Sequence, residues 1–172
     1  MTRSASTWEG NKYRFLVWIS GWVILLDQTT KAAVAKWIPL HGSIPVISGF
    51  FDLTHLYNPG GAFGFLAGQG EGVRKFFFLF ISSLAVIVIL YFYHKTPSGY
   101  RLLSMALALI LGGAIGNLID RFRLGRVLDF LDFYIGDLHW PPFNVADSAI
   151  TVGIVVLAWH LLFDKMPVEN KA

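Results

Sequence analysis

The sequence predicts a membrane-embedded all-α bundle of four transmembrane helices with a small β-rich cap on one side. Two observations carry that fold class. Of the 172 residues, 55% are hydrophobic and only 15% are charged, whereas a soluble domain carries roughly 25% charged residues. Apolar runs close to the ~20 residues that cross a hydrocarbon core also recur four times, at residues 13–34, 74–93, 101–121 and 146–164. The aromatic content of 16%, with six Trp and six Tyr, suits rings anchored at the two membrane interfaces. The formal net charge of +3 is modest and the basic residues are scattered, so nothing points to nucleic acid. Zero Cys excludes a disulfide framework, a thiolate nucleophile and a cysteine-based metal site.

The first span, YRFLVWISGWVILLDQTTKAAV, has the look of a secretory signal, with Ala33, Val34 and Ala35 as an A-x-A-like cleavage site. Three further spans and the charged DQTTK run weigh against that. Asp27 and Lys31 stand at i, i+4 on one helix face, and their bland reading is a helix-surface ion pair near the membrane boundary. In residues 36–73, SGFFDLTHLY alternates as a half-buried β-strand does, with Pro45 before it and the turn-rich NPGGAFG after it. GQGEGVRK lacks both the spacing and the strand context of a phosphate loop and reads as a turn.

The second span leads through the short, net-basic HKTPSGYR to the third. There Gly112 and Gly116 form a G-x-x-x-G that permits close helix packing, and Asn117 and Asp120 follow at i, i+3. The structural expectation is that Asn117 bonds across helices and Asp120 pairs with a nearby Arg. In residues 122–145, RVLDFLDFYIGDL fits a short strand or an interfacial helix, and its periodicity does not choose. The fourth span opens on Asn144, a good N-cap residue, with Asp147 three positions on in capping-box spacing.

Four spans put both termini on one side. Positive-inside counting does not orient the chain: Arg3, Lys12, Arg14, Lys95, Arg101, Lys165 and Lys171 balance Lys31, Lys36, Arg74, Lys75, Arg121, Arg123 and Arg126, seven against seven. The basic tail and the HKTPSGYR connection favour a cytoplasmic N-terminus. With no internal repeat and no low-complexity tract, residues 1–172 read as one domain.

Ionisable groups at membrane depth are costly and usually functional or paired. Taken alone, Asp147 reads as a helix cap. A second acid, Asp129 in VLDF, lies on the segment leading into the same span, with Asp132 and Asp137 as decoys in that loop. Two carboxylates at a partly desolvated site titrate as a pair and hold one proton between them. The ionised member can deprotonate water while the protonated one polarises a scissile carbonyl. An acid at a helix N-terminus tends to stay ionised, which makes Asp147 the expected base.

Rival chemistries find less support. His41, His55, His94, His139 and His160 make no H-E-x-x-H, so no metal site is expected. No G-x-S-x-G elbow is present. A small proton-coupled carrier also uses intramembrane acids, but four spans without a repeat are short for one. A noncatalytic assembly protein would tolerate loss of either acid.

DQTTK, NPGGAFG, GNLIDR, VLDF and FNVADS, in this order on a four-span chain, resemble signal peptidase II, the bacterial prolipoprotein signal peptidase, from about residue 13 to 164. The resemblance implies an aspartic endopeptidase of the bacterial inner membrane that cuts before the lipid-modified cysteine of the lipobox. Its partners would be diacylglyceryl prolipoproteins and membrane lipid, and it would work as a monomer without cofactor. The family's catalytic pair falls on Asp129 and Asp147. Its other motif residues fall on Asp27, Lys31, Asn58, Gly61, Ala62, Phe63, Gly64, Asn117, Asp120, Arg121, Asn144 and Ala146. Pro59-Gly60-Gly61 stands where a T-G-A-like run is commoner. The family also implies cytoplasmic termini and a site near the periplasmic face, under a β-cradle and a short extracytoplasmic helix.

Overall fold

A computed structural model describes residues 3–60, 69–97 and 99–163. The chain runs α1 (Arg3–Trp37), β1 (Ser43–Ile47), β2 (Phe51–Asn58), α2 (Glu71–Lys95), α3 (Arg101–Leu124), β3 (Val127–Ile135), β4 (Leu138–His139) and α4 (Val145–Phe163). Prolines follow two helices closely. Pro39 comes two residues after α1 and Pro97 two after α2, where a missing N–H and a fixed φ oppose further helix. Gly125 ends α3 in the left-handed region at φ 71°, with its N–H on the Arg121 carbonyl.

By length and composition α2, α3 and α4 are each able to cross a membrane. The expected first span lies in α1, whose 35 residues extend about 50 Å. It is not among the three, because its apolar run is followed at once by Asp27-Gln28-Thr29-Thr30-Lys31. The two threonines return their hydroxyls to the helix: Thr29 Oγ1 donates to the Leu25 carbonyl at 2.6 Å and Thr30 Oγ1 to the Leu26 carbonyl at 2.7 Å.

The helix α3 is central, with α1, α2 and α4 packed around it and α2 and α4 separated. Small residues allow this. A Cβ added at Gly112 would lie 2.7 Å from the Val23 side chain of α1, and one at Gly113 would strike the Ala146 carbonyl of α4. A first core joins Leu16, Tyr93, Leu107, Ala108 and Leu111 across α1, α2 and α3. Outward-facing side chains such as Phe76, Phe80, Ile87, Val155 and Leu162 are exposed, as lipid-facing residues of a bundle are.

The β-rich cap is a four-stranded antiparallel sheet in the order β1-β2-β3-β4. The strand expected in SGFFDLTHLY is β2. Pro45, expected to precede that strand, lies within a further strand, β1, at the sheet edge, where a residue without an N–H is tolerated. The undecided RVLDFLDFYIGDL segment is strand, because both its neighbours offer edges: β2 on one side, β4 and the Leu131–Phe143 bridge on the other. Among the described residues no separate short helix accompanies the sheet. Gly61, Ala62, Phe63 and Gly64 lie outside the described residues. A second core, Val34 and Ile38 with Leu128 and Phe130, fastens the sheet to the end of α1.

Candidate active site

The register of the sheet brings the first acid to the bundle. β3 pairs with β2 so that Asp129 stands opposite Leu56 and Val127 opposite Asn58, after a register shift between Leu53 and Leu56. Asn58 is therefore the diagonal neighbour of Asp129, and its Nδ2 donates to Asp129 Oδ2 at 3.1 Å. Asn58 Oδ1 in turn accepts the Gly60 N–H at 2.9 Å, so the turn after β2 orients the amide.

The second acid arrives through Phe143. Its carbonyl accepts the Phe130 and Leu131 N–H groups at 2.9 and 2.8 Å, which lays the entry to α4 against β3. Asn144 follows and is fully buried. It caps α4 reciprocally: Asn144 Oδ1 accepts the Asp147 N–H at 2.9 Å, and Asp147 Oδ2 accepts the Asn144 N–H at 3.3 Å. This is a complete capping box. The same Asn144 side chain donates from Nδ2 to Asp129 Oδ1 at 2.8 Å. One residue thus holds both carboxylates, one through its amide group and the other through its main chain.

The remaining motif residues form one buried network behind this pair. Lys31 Nζ lies 2.9 Å from Asp27 Oδ2, 2.8 Å from Asp120 Oδ2 and 3.0 Å from Asn117 Oδ1, matching its three N–H donors with three acceptors. Asn117 then donates to Asp147 Oδ1 at 2.7 Å. Asp27 Oδ1 accepts the Ala146 N–H at 3.0 Å, satisfying a first-turn donor of α4 that would otherwise be orphaned. Asp120 Oδ2 also accepts the Leu128 N–H at 3.3 Å, so it fixes the strand beside Asp129.

Two expectations need correction. The Asp27–Lys31 pair is not on the helix surface: Asp27 is 0% and Lys31 4% exposed, because α3 and α4 close over that face. Asp120 pairs with Lys31 and not with an Arg, since α1, packed against α3, brings the Lys31 ammonium to 2.8 Å. The expectation that Asn117 bonds across helices agrees with its contacts to α1 and α4. Arg121 feels the fields of Asp147, Asp129 and Asp120, but makes no ion pair with them among the described residues.

Gln28 was not singled out in the sequence. Its Nε2 lies 3.1 Å from Asp27 Oδ2, 3.0 Å from Asp120 Oδ1 and 3.2 Å from the Gly116 carbonyl, bracing the two acids that hold Lys31. The only available signal was its place inside DQTTK.

The loop acids Asp132 and Asp137 are elsewhere. Asp132 lies 2.9 Å from His139 Nδ1, and Asp137 is exposed in the β3–β4 turn. Asp129 differs in kind. Burial chiefly, then the neighbouring Asp147 charge, pushes its carboxyl up to about 6, against the opposing pull of Asn58, Asn144 and Lys31. Asp147 is only partly buried and lines an apolar groove of about 520 Å³ with Trp140, Pro142, Phe143, Thr151 and Val152. The arrangement offers a carboxyl of weakened acidity, a second acid on an open groove, and fixed dipoles around both.

Residues 19–163 match the family model described as Signal peptidase (SPase) II. The lipoprotein signal peptidase of Desulforapulum autotrophicum is 61% identical over 149 residues, covering 87% of this chain and 92% of that protein. The lipoprotein signal peptidase of Syntrophus aciditrophicus is 50% identical over 143 residues, covering 83% and 89%. A bacterial membrane enzyme solved by the in meso method at 1.9 Å resolution superposes with a TM-score of 0.76 at 31% identity, over 88% of this chain and 94% of that one.

Proposed function

The chain belongs to the signal peptidase II family, and we propose that it cleaves signal peptides from diacylglyceryl prolipoproteins by an aspartic mechanism, with Asp129 and Asp147 as the catalytic pair. It is a membrane peptidase whose family acts in prolipoprotein processing. The observation that carries the aspartic reading is the shared clamp on Asn144, which bonds Asp129 at 2.8 Å and Asp147 at 3.3 Å.

Asp147, ionised, takes a proton from a water molecule, and the resulting hydroxide attacks the scissile carbonyl. Asp129 starts with the shared proton and gives it to the developing oxyanion. On collapse the C–N bond breaks, Asp147 passes its proton to the leaving amine, and the proton on the gem-diol oxygen returns to Asp129. The pair is thereby reset. Asn58, Asn117 and Asn144 hold the two carboxyl groups in place through the step, and Lys31 tempers the negative charge from behind. Asp27, Asp120, Arg121 and Ala146 position these groups, and the segment Gly61 to Gly64 contributes to substrate contact.

In this reading residues 1–172 form one domain with four spans, α1 supplying the first. Both termini are cytoplasmic, residues 36–73 and 122–145 face the periplasm, and the enzyme works as a monomer in the inner membrane. Substrate enters laterally, its acyl chains buried against apolar helix faces at about 0.8 kcal/mol per CH₂. No cofactor takes part.

Cleavage of a lipidated lipobox peptide by the purified protein in the presence of a metal chelator tests the mechanism. Full activity is expected, and loss of activity would sink the aspartic assignment. Topology is tested on this cysteine-free chain with single cysteines. Those at Ser43 and Asp137 should react with an impermeant maleimide in intact spheroplasts and one at Lys95 should not. The reverse pattern would overturn the orientation.

A further inference from the structure

The seven basic residues on the outer side are unusual for a face that the positive-inside rule leaves poor in them, and the bundle accounts for only some. Lys31 is consumed by Asp27 and Asp120, and Lys36 stacks on Trp37 at 4.8 Å. Arg74 and Arg126 instead line a cavity of about 200 Å³ with Pro59, Glu71 and Gly125. We infer that this cavity, between the start of α2 and the α3–β3 turn, binds the phosphodiester headgroup of an anionic phospholipid. The orientation it uses rests on the proposed function.

Several independent features point to an anion. The Arg126 guanidinium is held over the Tyr57 ring at 4.2 Å, which fixes its plane and leaves its edge N–H groups for a ligand. Arg74 Nε is buried and has no hydrogen-bond partner among the described residues. An unpaired buried guanidinium N–H is costly, and a phosphate oxygen would satisfy it. Among the described residues Gly70 caps α2 without a side-chain hydrogen bond, and the positive end of the helix dipole lies in the first turn of α2, whose Glu71 and Arg74 line the cavity.

Charge and surroundings choose among anions. Two guanidinium groups and the Glu71 carboxylate leave the cavity a single net positive charge, which matches a phosphodiester monoanion better than a phosphate dianion. The cavity lies at the first turn of α2, a helix long and apolar enough to cross a membrane, and therefore at the depth of lipid headgroups. Acyl chains hanging from a headgroup there would run down into the hydrocarbon beside α2, and a free anion would gain nothing from that position.

The test places the full-length protein in nanodiscs of phosphatidylcholine, with or without a minor fraction of phosphatidylglycerol, and counts retained phosphatidylglycerol by native mass spectrometry. Arg74→Gln and Arg126→Gln should each weaken retention about fivefold, the effect of one basic group at a membrane surface. Glu71→Gln should strengthen it, an outcome that a merely misfolded variant would not give. Arg123→Gln, an exposed cation outside the cavity, should change little. Equal loss in Arg123→Gln would mean diffuse attraction and overturn the site, as would unchanged retention in both cavity variants. Retention is read without substrate, and peptide cleavage is assayed separately in phosphatidylcholine alone, so failure here leaves the aspartic mechanism standing and the converse also holds. Inorganic phosphate that displaces phosphatidylglycerol completely would assign the cavity to a free anion and overturn the lipid claim.

Discussion

Lys12 and Lys31 lie on the same helix and are buried alike, 6% and 4% exposed, yet their surroundings differ in the property that matters for chemistry. Lys12 Nζ donates to the Thr96 and His94 carbonyls at 2.6 and 3.1 Å, the negative end of the α2 dipole. Tyr93 returns a hydrogen bond to the Lys12 carbonyl at 2.6 Å, and Tyr13 meets His94 at 2.8 Å. Main-chain carbonyls exchange no proton, so this end acts as a tie between α1 and α2. Lys31 is held by two carboxylates and an amide that passes directly to Asp147. A charge buried among carbonyls builds structure, and one buried among acids also tunes its neighbours.

The largest effect should come from the acids themselves. Asp129→Asn and Asp147→Asn are each expected to abolish cleavage of a lipidated lipobox peptide while the protein still inserts and folds. At Asp147 the capping function survives in part, at a cost between a fraction of a kcal/mol and about 1 kcal/mol. Near-parental cleavage by folded Asp147→Asn would reduce that carboxylate to a helix cap and erase the functional half of the comparison. Asn144→Ala, which loses the Asp129 contact and one arm of the capping box, should lower kcat without silencing the enzyme.

The two lysines give the direct contrast. Lys31→Met strands two buried carboxylates and should cost about 3–5 kcal/mol of stability, with cleavage lost in whatever remains folded. Lys12→Met removes hydrogen bonds from a charged donor and should cost about 1.5–3 kcal/mol, with kcat per folded molecule retained. Thermal melts in detergent and active-fraction-corrected rates read both quantities. Equal kcat losses in the two variants would show that the tie near the start of α1 and the network near its end are not separable.

Acidity sharpens the contrast further. The Asp129 carboxyl is raised in the fold from 3.8 to about 6, so the unfolded chain releases this proton first as pH rises. The stability gained by keeping it is full below about pH 4 and lost as pH climbs through 6, a change of roughly 3 kcal/mol. Asp129→Asn should therefore melt above the parent at pH 7, with the advantage shrinking toward pH 4. In the parent, kcat/KM for the free enzyme should bend downward above about pH 6 as Asp129 ionises, and fall again in acid once both acids are protonated. A rate rising steadily with pH would exclude the shared proton. The smallest effects belong to Asp132→Asn and Asp137→Asn, expected within about 0.5 kcal/mol of the parent and with most activity kept.

Much of this was readable along the chain. Apolar runs marked the helices to within a few residues except at the start of α1, which begins at Arg3, well before Tyr13. The alternation in FFDLTHLY marked β2, and N-x-x-D marked the start of α4, because helix, strand and cap each have a local period or spacing. β1 and β4 were not readable, since a five-residue strand containing Pro45 and a two-residue strand carry too little pattern and exist only because a neighbouring strand completes their hydrogen bonds. At the site, residue types were legible and partners were not. Nothing local distinguishes Asp120 seeking an Arg from Asp120 bonded to Lys31, or Gln28 from any polar residue at a span's end.

The sequence by itself determined that the chain is a membrane helix bundle with acids at the ends of its spans, because burial in hydrocarbon and helix capping act through local composition and spacing. Only the tertiary structure decided that Asn144 bonds both Asp129 and Asp147, and that Asp27 completes the cap of α4 from across the bundle. Those bonds join residues far apart in the chain. Their geometry is set by the close approach of α1 and α4 to the small residues of α3 and by the register of β3 on β2, quantities that belong to packing and not to any one segment.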